Sequence, residues 1–204
     1  MQAFTTVIGR AVPLMRANID TDVIIRIERL TAGEPSALGT YAFEAWRYLP
    51  DGAENPDFTP NQPKYRGAPI LIAGRNFGCG SSREGAVLAL QGMGLRCVIA
   101  ESFGDIFFGN CFQNGMLPIR LPEENIQTLV AETNASETPC TVDLKLLTIT
   151  TPSGRTMPFT TDPQRREALL EGLDDIGLTL KYEADITKWQ TQDRVARPWV
   201  WLPT

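Results

Sequence analysis

Residues 70–90 read ILIAGRNFGCGSSREGAVLAL. The apolar run from Ile70 to Ala73 predicts a buried strand. Residues 82–93 predict a helix, because apolar positions recur near Ala86, Leu90 and Met93. Between strand and helix stand Gly74, Gly78 and Gly80, then Ser81, Ser82, Arg83 and Glu84. The pattern continues downstream. RCVIA (96–100) predicts a second strand, 103–115 a helix ended by Gly115, and LPIRL (117–121) a third strand stopped by Pro122. Strand, helix, strand, helix, strand is the signature of parallel strands with helical crossovers, hence an α/β fold.

Outward from this centre the chain is less regular. FTTVIGRAVPL (4–14) alternates loosely and predicts a strand with a turn near Pro13. ANIDTDVII (17–25) predicts a polar turn entering a short strand or helix. Residues 31–66 are rich in Gly, Pro, Asn and Asp, with one helix expected over 40–49 carrying Tyr41, Phe43, Trp46 and Tyr48. Residues 50–69 form a long loop by composition, the kind that carries function or covers an interface. Past Pro122, a helix over 123–132 precedes TVDLKLLTITT (141–151) and PSGRTMPFTT (152–161), which predict a hairpin turning at Ser153-Gly154. Asp162 and Pro163 open a helix that ends near Gly172. The expected fold is thus one α/β domain over 1–204. It has a mostly parallel sheet with helical crossovers plus a C-terminal hairpin and helix. The tail, 184–204, is expected to be extended or to touch a partner.

Composition narrows the function. A chain of 204 residues buries a substantial core without disulfides or metals. With 24 acidic and 19 basic residues and no basic stripe, nucleic acid and anionic membranes are poor candidate partners. Cys79, Cys97, Cys111 and Cys140 form no CxxC pair and lack the spacing of an iron–sulfur run, so no metal site is expected on this chain. They read as free thiols in a reducing cytosol. No apolar run of 18 residues is present, and a cytoplasmic location is expected. The chain contains no histidine, which removes every Ser-His-Asp and Cys-His mechanism. Proton transfer must use a carboxylate, lysine, tyrosine, cysteine or activated serine, or groups from another polypeptide.

A strand running through glycines into a helix aims backbone N–H groups at one point, and the helix dipole adds positive charge there. Such a turn favours an anion. A dinucleotide fingerprint is one reading, with Gly78 and Gly80 in the turn and Glu101 after the next strand. Arg83, however, stands where that motif needs its third glycine. A P-loop fails because no Gly-Lys pair exists, and a hydrolase elbow fails because GxSxG is not met. A carboxylate site remains. Arg83 offers a planar fork matching a carboxylate, and positive surroundings would lower the pKa of a serine hydroxyl. The plainer alternative makes Ser81 or Ser82 an ordinary N-cap, Glu84 the start of a capping box, and Arg83 a solvated side chain. A stand-alone sensor of small anions or nucleotides would use the same helix start.

GCGSSRE, followed by VIAESFGDIFFGNCFQNGMLPIRL and preceded by NIDTDVI, resembles the small subunit of the 3-isopropylmalate dehydratases, which corresponds to the swivelling domain of aconitase. The resemblance runs from Phe4 to Leu180. It implies a hydro-lyase of leucine biosynthesis, active as a heterodimer. A large subunit would carry a [4Fe–4S] cluster, this chain would carry no cofactor, and the substrate would be a small dicarboxylate. By the same resemblance Ser81 is the catalytic base. Arg83 clamps a substrate carboxylate, supported by Ser82 and Gly80. Asp20, Thr21 and Asp22 shape the pocket wall, and Ile25, Arg26 and Ile27 begin a specificity loop. Two departures bear on the substrate. Relatives often carry Pro-Lys near positions 26–27, and they usually continue SSREHAPWAL where this chain reads SSREGAVLAL, with Gly85 replacing a histidine. A related substrate of the citramalate, dimethylmalate or homoaconitate type is the alternative that these departures raise.

Overall fold

The computed structural model describes residues 1–32 and 37–201. Strands β1 (Thr6–Gly9) and β2 (Ala11–Leu14) open the chain. Four short helices follow: α1 (Thr21–Ile24), α2 (Ile27–Ala32), α3 (Leu38–Tyr41) and α4 (Glu44–Arg47). The long loop holds two 3-10 turns, Thr59–Asn61 and Pro63–Tyr65. Then come β3 (Ile70–Ala73), α5 (Glu84–Gly92), β4 (Cys97–Ala100), α6 (Asp105–Gln113) and β5 (Leu117–Arg120). Helix α7 (Glu123–Ala135) leads to β6 (Cys140–Asp143), β7 (Thr148–Thr150) and β8 (Thr156–Pro158). Helices α8 (Pro163–Glu171), α9 (Asp175–Leu180) and α10 (Glu183–Ala196) close the chain with a 3-10 turn, Pro198–Val200.

The expected parallel layer is present as β2-β3-β4-β5, with α5 and α6 as crossovers. Alternate side chains leave a strand on opposite faces. Leu71, Ala73, Val98 and Ala100 therefore pack with Ala86, Val87 and Leu90 of α5, while Ile70, Ile72, Cys97 and Ile99 enter a second core. That second core is closed by Val142, Ile149 and Met157 of an antiparallel sheet, β1-β6-β7-β8, and by Ile126, Leu129 and Leu169 of α7 and α8. Burial on both faces is why the parallel strands read as unbroken apolar runs.

Four local expectations change. Residues 4–14 break at Arg10, not at Pro13: β1 pairs with β6 in one sheet and β2 with β3 in the other. Pro13 sits inside β2, an edge strand, where a missing N–H leaves no ladder position open. The helix expected over 40–49 is split into α3 and α4 at Phe43, which is fully buried at φ 55°. The break lets the Phe43 N–H donate to the Ile24 carbonyl of α1 at 2.9 Å. The alternating stretch 141–151 contains its own turn, with Leu147 at φ 55°, so the expected hairpin is part of a four-stranded sheet completed by β1. The tail is not extended from residue 184, since α10 spans Glu183–Ala196. Residues 202–204 lie outside the described residues.

Candidate active site

The glycine-rich turn leaves the carboxyl end of β3 and is tied down on both sides. Phe77 N–H donates to Ser102 O at 3.0 Å, and Gly104 N–H donates to Phe77 O at 2.9 Å. On the other side, Gly78 N–H donates to Ile19 O at 2.7 Å and Thr21 N–H to Cys79 O at 2.8 Å. Thr21 Oγ1 donates to the Ser81 carbonyl at 3.0 Å, and Asp20 caps α1 by accepting from Val23 N–H at 2.7 Å. The NIDTDVI segment is thereby bolted to the turn that carries Ser81.

The glycines have packing reasons. A Cβ on Gly74 would overlap the Arg16 carbonyl, and one on Gly78 (φ 70°) would overlap the Phe107 ring. With the Gly78 N–H already bonded, the anion cradle expected across the whole turn shrinks to its exposed end, Gly80 (φ 95°) to Ser82. Neither serine is a helix cap. Helix α5 begins at Glu84 with Arg83 as its extended N-cap residue, and no side chain caps it. Glu84 accepts from Asn114 Nδ2 at 3.0 Å instead of closing a capping box. The Ser81 and Ser82 residues are exposed just ahead of the positive end of α5.

Arg83 is not a solvated side chain. It is only 13% exposed, forms an ion pair with Asp22, and donates from Nη1 to the Ile25 carbonyl at 3.4 Å. The structure therefore brings together Arg83, Asp22 and Ile25, which lie about sixty positions apart in the chain. A carboxylate already faces the guanidinium, the partner chemistry for which its fork is suited. Of the three loop residues, Ile25 is buried in the core, whereas Arg26 and Ile27 are exposed at the start of α2. The Cys79 thiol, next to the site, is pushed up by burial and by the Asp20 charge, so it does not offer a ready thiolate.

Two further contacts escaped the sequence reading. Asn76 Nδ2 donates to Asn18 Oδ1 at 2.8 Å, and both residues sit in the left-handed region, at φ 57° and 56°. Asparagine tolerates that conformation, which was the available signal. Leu30 of α2 lies where a Cβ on Gly85 would stand.

Comparison with known proteins places the molecule. A family profile described as "Aconitase C-terminal domain" matches residues 1–124, and one described as the C-terminal domain of the 3-isopropylmalate dehydratase small subunit matches 175–200. The 3-isopropylmalate dehydratase small subunit of Paracoccus denitrificans is 50% identical over 98% of this chain and 100% of its own length. The chain belongs to the 3-isopropylmalate dehydratase small-subunit family. The Paramagnetospirillum magneticum member of this family is 49% identical with the same coverage. The crystal structure of the Methanocaldococcus jannaschii 3-isopropylmalate dehydratase matches with a TM-score of 0.65 at 25% identity. The match covers 90% of this chain and 98% of that one. The α/β architecture is thus that of the family. A small subunit implies a large one. Among the described residues no group of three or more His, Cys, Asp or Glu side chains is placed to hold a metal ion, so these residues do not fit a cluster site. No helix among them is long and apolar enough to cross a membrane.

Proposed function

We propose that this chain supplies the proton-transfer side of a 3-isopropylmalate dehydratase active site, in the cytoplasm and as part of leucine biosynthesis. The observation that carries this reading is the placement of Ser81. Its residue is exposed on a turn held by Thr21, two positions from the guanidinium of Arg83 and beside the amino end of α5. Positive charge and helix dipole both favour an oxyanion there. In this reading Ser81 Oγ takes the proton from the carbon next to a substrate carboxylate. Arg83 holds that carboxylate, with Asp22 keeping the guanidinium in place, and the N–H groups of Gly80 and Ser82 support the anion. The hydroxyl departs as water on a proton from a general acid of the large subunit, and water returns at the adjacent carbon, so that hydroxyl and hydrogen exchange positions. That converts 2-isopropylmalate and 3-isopropylmalate into one another.

Asp20 and Thr21 hold α1 against the turn, and in this reading exposed Arg26 and Ile27, at the start of α2, read the substrate's branched group. The large subunit is the proposed partner, and its [4Fe–4S] cluster supplies Lewis-acid chemistry at the substrate hydroxyl. Gly85 and the Arg-Ile pair favour testing related substituted malates alongside isopropylmalate.

The test is reconstitution with the large subunit without oxygen. Ser81→Ala is expected to lower kcat by at least about a hundredfold, the range for losing a positioned general base. A loss below tenfold would refute the base role. Arg83→Lys, which keeps charge but loses the fork, is expected to raise KM more than it lowers kcat.

A further inference from the structure

We propose that the α9–α10 segment is the element by which this chain docks on the large subunit, through the apolar side chains Ile176, Leu180 and Trp189. The inference rests on the small-subunit reading above and deepens it. Helices α5, α6, α7 and α8 each bury apolar residues, for example Leu90, Phe107, Leu129 and Leu169. Helix α9 buries none of its residues, and α10 buries only Asp193. The large apolar side chains go the other way: Ile176 is 70% exposed, Leu180 58%, Trp189 55% and Trp199 78%. Ile176 and Leu180, four apart on α9, share one face.

A helix of about fourteen residues is marginal in water unless an apolar face is packed. Here polar contacts hold the segment's shape. Lys181 Nζ bonds Glu167 at 2.5 Å and Glu171 at 3.0 Å, fixing the α9–α10 corner to α8. At the far end Trp201 Nε1 donates to Asp193 at 3.1 Å, and Arg197 pairs with the same aspartate at 2.6 Å. The segment is preformed, with its apolar side chains unused. Exposed apolar side chains concentrated on one segment of the surface mark protein interaction sites.

The occupant follows from where the family resemblance divides. Residues 1–124 match a domain named for the C-terminal part of aconitase, a piece of a longer chain. Residues 175–200 match a segment named for the dehydratase small subunit. A domain joined covalently to its partner is kept there by the chain itself. A separate subunit must be held by contacts, and the segment bearing the unused apolar groups is the one whose family profile is named for the separate subunit.

The experiment measures the dissociation constant of the full chain for the large subunit. The substitutions Ile176→Ser, Leu180→Ser and Trp189→Ala are combined. The expected result is at least a tenfold weaker complex, with kcat at saturating large subunit within twofold and the circular dichroism of the free chain unchanged. Leu146→Ser, at a side chain 72% exposed in the β6–β7 turn, should leave the constant unchanged. Should the triple variant misfold, Trp189→Ala alone must still weaken binding at least threefold. A triple variant that folds and binds within twofold of the wild type overturns the proposal. So does a wild-type chain that sediments as a dimer which the triple variant abolishes while large-subunit binding persists, because the face then serves a second copy. A wild-type chain that binds no large subunit would instead overturn the small-subunit reading, and this proposal with it.

Discussion

Gly85 stands in the first turn of α5, and its missing Cβ leaves the space that Leu30 of α2 fills. From sequence alone a glycine in a helix costs about 0.5–1 kcal/mol against alanine, so Gly85→Ala should stabilise. The packing opposes that gain. An added methyl must turn the Cδ2 end of the half-buried Leu30 side chain aside, at a cost of about 0.5–1.5 kcal/mol. Gly85→Ala is therefore expected to bring no net gain and to stay within about 1 kcal/mol of the wild type. In the double variant with Leu30→Ala, the two effects should not add, because the smaller side chain vacates the space. Urea unfolding of the four proteins checks this, and a more stable Gly85→Ala chain would sink it. The candidate site was partly legible at this scale. Ser81 and Arg83 stood out because a serine, an arginine and glycines crowd one strand-to-helix turn. The Arg83–Asp22 ion pair did not, since no local spacing rule joins residues that far apart in the chain. The alternative capping role of the serines fails because the helix begins at Glu84, two residues later than the apolar period suggests.

Among elements, those with local chemical punctuation were read correctly. Asp162 accepts from the N–H groups of Gln164 and Arg165 at 3.0 Å, Pro163 opens α8, and Gly172 ends it at φ 72°. The α3–α4 segment carries no such mark at its break. Its break at Phe43 is set by tertiary packing, with that ring stacked on Trp46 at 6.1 Å and tilted against Phe58 at 5.6 Å. Arg29 joins α2 to α4 by donating from Nε and Nη2 to the two carboxylate oxygens of Glu44, and its guanidinium lies 4.4 Å over the Tyr41 ring. The hydrogen bond from Arg29 holds the Glu44 carboxyl below its ordinary range. A carboxylate depressed in the folded state adds stability above the unfolded pKa of about 4.3, and loses it as pH falls through the lower folded value. Solvent screens the pair, so the effect is small. Glu44→Gln is expected to lower the urea midpoint slightly at pH 7 and by less at pH 3. Equal losses at both pH values would assign Glu44 a packing role instead.

On the scale of the whole molecule, the parallel layer was legible because each strand is buried on both faces and reads as an apolar run. The antiparallel layer was legible only in its β7–β8 hairpin turning at Ser153-Gly154, not in its closure by β1. Its first strand pairs Thr6 with Asp143 and Gly9 with Cys140 across most of the chain, and β1 shows only a half-exposed alternation. The cysteines report whether the two layers nevertheless form one cooperative unit. Cys97 in β4 and Cys140 in β6 belong to the core between the sheets, and Cys111 in α6 belongs to the core on the other face. Burial raises all three thiols, that of Cys140 to about 12, so none is a thiolate in the folded chain near neutral pH. Cys79 is half-buried and raised less by the same cause. Because β6 cannot leave without uncovering Ile70, Ile72 and Ile99, opening one layer strips the other. Labelling at pH 8 should therefore show one thiol reacting in the native chain. The other three should then react together, at a rate that follows global unfolding as urea rises. Modification of Cys140 well before Cys97 and Cys111 would mean that the antiparallel sheet separates first, leaving the parallel layer with its turn and Ser81 intact.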